Sequence, residues 1–322
     1  MTVSRVINRD PKVRDQTRKR VNDAIAKLGY SVNLQARALA SGGARRILLI
    51  HAVSPDREPN SYYDSGLELG ALRACSTHGF DLASRTLDPD DKSLVSRLEH
   101  IVRDERPSGI ILPPPLCDDP KLVARLAQLE MPIAAISAAP NSTHPISSVG
   151  IDDYKAGRIV AGHLYDVGHR NLGFLSGPYS HRSASMRLEG FRDALAERNV
   201  KPLWIAEGDF TFRSGIDLAN ELLAKEVNIT ALACANDDMA AGAMLTFHRQ
   251  GLDMPADLSI TGFDDTPVSQ IVWPPLTTIR QPIQSYGEEA VMMLAHRDPD
   301  GDPVRLDVPF QLVIRESTAP PR

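Results

Sequence analysis

Three adjacent acid pairs, Asp152-Asp153, Asp237-Asp238 and Asp264-Asp265, each follow a short apolar run. Carboxylates placed just after buried strands can accept hydrogen bonds from a ligand held in a crevice. They can equally be plain negative charge at helix N-termini, which the macrodipole favours. Acid catalysis would need a nucleophile or a metal beside them. The sequence has no G-x-G-x-x-G after a strand, no G-x-x-x-x-G-K-[ST], no H-E-x-x-H and no G-x-S-x-G. Its nine His are scattered and share no metal-ligand spacing with Cys75, Cys117 and Cys234, which are themselves odd in number and far apart. The carboxylates therefore read as acceptors for a polyhydroxyl ligand, and no catalytic residue, metal or cofactor is expected.

Positioning such acids requires strands that end at a common edge. From Arg46 onward, short apolar runs (RRILLIHAV, SGIILPPP, PIAAIS, NLGFLSGP, ALACAN, LSITGFDD) alternate with longer stretches that read as helices. That alternation predicts βαβ units and parallel sheets. It runs about twice the length of one doubly wound unit, so two similar subdomains are expected, with a crevice at the carboxyl ends of their strands. The 322 residues are roughly two domains' worth of chain.

The N-terminal stretch is different. Residues 1–46 carry 11 Lys and Arg against 3 acids, a net +8, while the remainder carries −13. A basic head on an acidic body reads either as a nucleic-acid footprint or as a solvated basic tail. In this head Val21, Ala24, Ile25 and Leu28 fall at helical spacing and Gly29 closes the run. Asn33 then suits an N-cap for a helix of about two turns over Leu34–Ala40, which Gly42-Gly43 ends. So short a helix is marginal alone and should form only against something else. No apolar run reaches the ~18 residues of a membrane span, and no apolar signal region follows the basic start. A reducing, cytoplasmic setting without membrane attachment is expected.

Several stretches in order resemble a LacI-type (lactose/galactose repressor) transcriptional regulator over essentially the whole chain. TVSRVIN is similar to the family's second DNA-binding helix, TRKRVNDAIAKLGY to its third, and NLQARALASG to its hinge. DVGHRNLGFLSGP, SMRLEGFRDAL, GDFTFRSG, CANDDMAAGAM, SITGFDDTPVSQ and PPLTTIRQP resemble its effector-binding core, and VIRESTAPP its closing strand. The resemblance implies an α/β, two-lobed periplasmic-binding-protein-like core of two doubly wound parallel sheets. A small all-α helix-turn-helix head and hinge helix would precede it. The head would occupy residues 1–45 with the hinge at about 33–41, and the core residues 46–322. Within the core, one lobe would take about 46–150 and 283–309, the other about 151–281 and 310–318.

The family's head begins with one more helix ahead of TVSRV. The resemblance therefore implies a start placed downstream of the true one, or a shortened chain, and specific operator binding depends on that helix. Thr2, Ser4, Arg5 and Asn8 match the surviving recognition helix, where Arg5 would meet a base or phosphate and the others phosphate oxygens. Asn33 caps the hinge, Arg37 suits a phosphate or minor-groove edge, and Leu39 matches the leucine that wedges between base pairs in the minor groove.

For the effector, the resemblance implies contacts from Arg187, Asn236, Asp264 and Gln281, with Phe210 as an aromatic wall for a pyranose face. Tyr62 or Tyr63 would line the mouth, Ser137 stands where some relatives carry an acid, and Trp273 either walls the pocket or packs. The implied protein is a homodimeric, effector-responsive regulator of operator DNA, expected to be a repressor answering to a sugar. A sugar-binding protein of the same fold that has lost specific DNA binding is the alternative.

Overall fold

The computed structural model describes residues 45–53, 61–138, 146–298 and 301–322, together with isolated positions between 6 and 24. Thr2, Ser4, Arg5, Asn8, Asn33, Arg37 and Leu39 lie outside the described residues. The chain divides into two compact units, Met1–Arg45 and Arg46–Arg322.

The second unit opens with β1 (Arg46–Ala52), whose sequence RILLIHA is buried on both faces. The period-2 alternation of a strand explains how. Ile47 and Leu49 pack with Leu67 and Ala71, while Leu48 and Ile50 pack with Leu98 and Leu122 on the opposite side. Helix α1 (Ser61–His78), β2 (Asp81–Leu87), α2 (Leu94–Glu105), β3 (Gly109–Leu112), α3 (Pro120–Gln128), β4 (Ile133–Ile136) and β5 (Ser147–Gly150) continue the first lobe. The second lobe follows with α4 (Asp153–Val167), β6 (Leu172–Ser176), α5 (Arg182–Ala196), β7 (Trp204–Glu207), α6 (Phe212–Ala224), β8 (Ala231–Cys234), α7 (Asp237–Arg249), β9 (Ser259–Asp264), α8 (Val268–Ile271) and β10 (Thr277–Arg280). The chain then returns to the first lobe through α9 (Ile283–Ala295) and β11 (Arg305–Asp307), and ends in the second with β12 (Gln311–Val313).

Each lobe holds one six-stranded sheet, ordered β11-β5-β4-β3-β1-β2 and β12-β10-β9-β8-β6-β7. Both are doubly wound, with the strand order reversing next to β1 in one and β6 in the other. All described pairings are parallel except that β12 runs antiparallel to β10. Two doubly wound parallel sheets were expected, with a closing strand at VIRESTAPP. The closing strand is Gln311–Val313, which shares only Val313 with that stretch. The following segment is held by side-chain and isolated backbone hydrogen bonds instead, with Ile260 N donating to Ser317 O at 2.9 Å and Ser317 Oγ to Ile260 O at 2.6 Å, and Ser259 Oγ donating to Ala319 O at 3.1 Å and accepting from Ala319 N at 3.0 Å.

Helices pair at backbone contact through reciprocal glycines. A Cβ on Gly70 would lie 1.9 Å from Gln284 O and one on Gly287 2.1 Å from Leu67 O, so α1 and α9 touch directly. Gly157 and Gly190 do the same for α4 and α5, and Gly215 and Gly242 for α6 and α7. Close approach of this kind fixes each helix pair along its length, and with it the side chains the pair carries to the sheet edge.

The C-terminal segment closes over two histidines. His169, buried, shares a 2.9 Å hydrogen bond with Thr230 Oγ1, and His163 Nε2 shares one of 3.0 Å with Thr318 Oγ1. Burial holds both rings below the ordinary histidine value of 6.5. Their pKa is thus lower folded than unfolded. The stability this carries is present above about pH 6.5 and is lost as pH falls below it, at no more than about 1.4 kcal/mol per pH unit for each ring. Urea unfolding at descending pH should show that loss, and His163→Gln with His169→Gln should flatten it.

Candidate functional site

Between the two sheets lies a cleft of about 510 Å³. Its walls come from the carboxyl ends of strands in both lobes: Ala52 closing β1, Pro113–Pro115 after β3, Ser137 after β4, Pro178 after β6, Phe210 after β7, Asp264 closing β9 and Gln281 after β10. Doubly wound sheets bind ligands at this edge because the strand-order reversal leaves a gap between loops there.

Arg187 stands at the centre. It projects from α5, is 6% exposed, and donates from Nε to Asp153 Oδ1 at 2.7 Å and from Nη1 to Ala235 O at 2.9 Å. Its guanidinium carbon lies 3.7 Å from the Phe263 ring centroid, a cation–π contact. Burial opposes the Arg187 charge, and the Asp153 and Asp264 carboxylates more than offset it, holding the group above its usual value. Asp264 is pushed up to about 7, chiefly by burial, while Arg187 and Gln281 pull it back. Gln281 Nε2 donates to Asp264 Oδ1 at 2.5 Å, and Tyr286 OH donates to Gln281 Oε1 at 2.9 Å. One hydrogen-bonded path thus joins the cleft carboxylate to the β10–α9 crossover between lobes. Behind it Asp237 accepts from Thr278 Oγ1 and Thr266 N, both at 2.7 Å, and burial raises its pKa strongly.

Ser137 (φ +53°), Phe210 (φ +68°) and Asp264 (φ +108°) all take left-handed backbone conformations. Non-glycine residues rarely do so, and such strain persists where the surroundings enforce a side chain's position. Phe210 lies on Gly177, where a Cβ would come within 2.1 Å of its ring. The His181 ring meets it edge-on, with centroids 5.3 Å apart.

The structure brings Tyr63, Ser137, Arg187, Phe210, Asp264 and Gln281 to one cavity. Three expected contacts fall elsewhere. Asn236 is 1% exposed and caps α7, accepting from Met239 N at 3.0 Å and donating to Phe210 O at 2.8 Å. It holds Phe210 in place from behind. Tyr62 is on the outward side of α1, because one residue along a helix turns the side chain about a quarter of the circumference away from Tyr63. Trp273 is 81% exposed, since Val272 takes the inward place after α8 and packs on the core.

Sequence reading missed Asp118. It leaves the first lobe after Pro113–Pro115 and accepts from Arg182 N, the first residue of α5 in the second lobe, at 3.0 Å. The helix has no side-chain cap of its own from His181, so the opposite lobe supplies the carboxylate. Burial pushes Asp118 up to about 6. Asp118-Asp119 follows an apolar run just as the three acid pairs do, and that signal marks it.

A two-lobed α/β chain with a polar cleft at its strand ends is a small-molecule binding domain. Residues 161–318 match the periplasmic binding protein-like domain, and residues 1–33 match the bacterial regulatory proteins of the lacI family. The chain is 33% identical to the HTH-type transcriptional repressor PurR of Mannheimia succiniciproducens, over 98% of this chain and 94% of that one. It resembles the solved transcriptional regulator CelR–cellobiose complex (TM-score 0.77, 28% identity, 98% of this chain and 94% of that one). It also resembles the lac repressor dimer bound to operator and the anti-inducer ONPF (TM-score 0.77, 29% identity, 99% and 94%). The chain belongs to the LacI family. It is a transcriptional regulator that binds DNA and an effector, and the relatives are regulators rather than enzymes. No helix among the described residues is long and apolar enough to cross a membrane.

Proposed function

We propose that the protein is a homodimeric repressor of operator DNA in the cytoplasm whose effector is a sugar held between the lobes. The convergence of Arg187, Asp264, Gln281 and Phe210 on one cavity carries the reading. Arg187 keeps Nη2 for the ligand after Nε and Nη1 are engaged by Asp153 and Ala235. Asp264 accepts hydroxyl hydrogens, and the Phe210 ring faces the C–H surface of a pyranose. The cellobiose in the CelR complex supports this chemistry by analogy.

Closure on the sugar changes the angle between lobes, which share the Asp118–Arg182 contact and the Gln281 crossover. In a dimer that angle sets the separation of the two hinge segments, where Asn33 serves as N-cap, Arg37 meets a phosphate or minor-groove edge and Leu39 wedges into the minor groove, while Thr2, Ser4 and Asn8 meet phosphate oxygens and Arg5 a base or phosphate. Effector and operator then bias one equilibrium, so each alters the other's affinity by the same factor, ~5–150-fold for a coupling of ~1–3 kcal/mol.

Thermal unfolding against panels of sugars and purines tests this. A sugar at 100 times its Kd should add ~2.7 kcal/mol. A shift with purines alone overturns the sugar assignment.

A further inference from the structure

The charge of the cleft is lopsided. Asp64, Asp90, Asp118 and Asp119 line it from the first lobe, and Glu207 and Asp209 join Asp264 from the second. Among the described lining residues Arg187 is the one Lys or Arg, and its charge is already met by the buried Asp153. Several of these acids have structural duties: Asp119 caps α3 through Lys121 N, Glu207 Oε1 accepts from Tyr179 N, and Asp118 accepts from Arg182 N. Backbone N–H donors hold them in place and leave their negative charge standing. A cleft walled by one sign of charge focuses its field, because the surrounding protein is of low dielectric.

We infer that this cleft selects its effector by charge, admitting the free or amine-bearing form of a sugar and rejecting its phosphate or carboxylate. The inference rests on the cleft being the effector site. A phosphoryl group carries close to two negative charges near neutral pH. Wherever it lay in the cleft it would face carboxylates from both lobes, with Arg187 the one guanidinium to meet it. Glycosyl hydroxyls and ammonium groups, by contrast, donate hydrogen bonds and need acceptors, which both walls supply. The reaction class that delivers this effector is therefore hydrolysis or uptake without phosphorylation. An effector made by a sugar kinase would not fit.

The field can be read without knowing the effector. Ser180 lines the cleft and is exposed, while the native cysteines are buried. Ser180→Cys in the full chain is reacted with a cationic and an anionic methanethiosulfonate of similar size. Each rate is normalised to 2-mercaptoethanol, and the parent chain gives the background. The cationic reagent should react roughly tenfold faster than the anionic one at low salt. Adding Asp90→Asn and Glu207→Gln should move the ratio toward one. Equal rates, faster anionic labelling, or a ratio indifferent to those two substitutions would overturn the inference. Matched trios in a thermal scan then separate the two claims: cellobiose, its 6-phosphate and its diamino analogue. Stabilisation by the phosphate beyond the other two refutes charge selection while keeping a sugar effector. A cationic labelling bias with stabilisation by purines alone upholds exclusion of anions while removing the sugar reading.

Discussion

Arg187→Met should cost roughly 3–5 kcal/mol of stability, the usual loss when one partner of a buried ion pair is removed. The chain of causes is short. Asp153 is 3% exposed and loses the Nε donor at 2.7 Å, Ala235 O loses the Nη1 donor, and Asp264 loses the nearby charge that opposes its burial. Methionine fills much of the volume, so the deficit is electrostatic rather than a cavity. The pH dependence distinguishes the two. Asp153 and Asp264 already have raised pKa values, and without the guanidinium both rise further. An acid whose folded pKa is raised costs stability as pH climbs from its unfolded value through its folded one. The gap between variant and parent should therefore be widest above pH 7 and narrow as pH falls to about 7, where Asp264 takes up its proton in the parent as well. Urea unfolding at several pH values measures it. A gap independent of pH would mean that packing, not charge, is lost. Effector-induced stabilisation should vanish in the same variant, and Asp153→Leu added to Arg187→Met should restore part of the stability but none of the response.

The sheet architecture was legible because each buried strand is a run of apolar residues flanked by longer helical stretches. RRILLIHAV and NLGFLSGP show it without help from the rest of the chain. The late elements were less so. β12 is three residues long and only partly buried, so neither length nor pattern separates it from the rest of VIRESTAPP, which it enters only at Val313. Its antiparallel direction arises because the chain crosses back between lobes at that point, a tertiary fact with no local trace. The cleft was partly legible. Asp264 and Arg187 carry charges that are costly to bury without a purpose or a partner, and both lie in the cavity. Asn236 has the same polar character but no place in the cavity, because its carboxamide is consumed by the cap of α7 on the oxygen side and by Phe210 O on the nitrogen side. Tyr62 and Tyr63 are indistinguishable by type, and only helix phase decides which one faces in. Asp118 works across the two lobes, and no neighbour in sequence reports a partner 64 positions away.

Two glycines of one helix should respond in opposite directions to the same methyl group. Gly157 and Gly162 both lie in α4. A Cβ at Gly162 meets nothing within 4 Å, so Gly162→Ala gains the helix preference of alanine and should stabilise by about 0.5–1 kcal/mol. At Gly157 the same atom would sit 2.0 Å from Arg187 O and 3.0 Å from Arg187 Cα. Backbone cannot swing aside as a side chain can, so α4 and α5 must separate, and overpacking of this kind costs roughly 3 kcal/mol. The consequence reaches the cleft directly. Gly157 touches the residue that bears the central guanidinium, and Asp153, its ion partner, is one turn earlier on α4. Parting the helices lengthens the 2.7 Å Arg187–Asp153 contact, so Gly157→Ala should weaken effector binding even at temperatures where the fold persists. A glycine that serves helix packing alone would lower the unfolding midpoint and leave affinity in the folded state unchanged. Gly215→Ala supplies that comparison, because its methyl would strike Met239 O at 2.2 Å between α6 and α7, away from Arg187. Calorimetric titration of both variants well below their midpoints should show reduced affinity for the first and near-parental affinity for the second. If the two lose affinity equally, the α4–α5 contact has no special hold on the binding arginine.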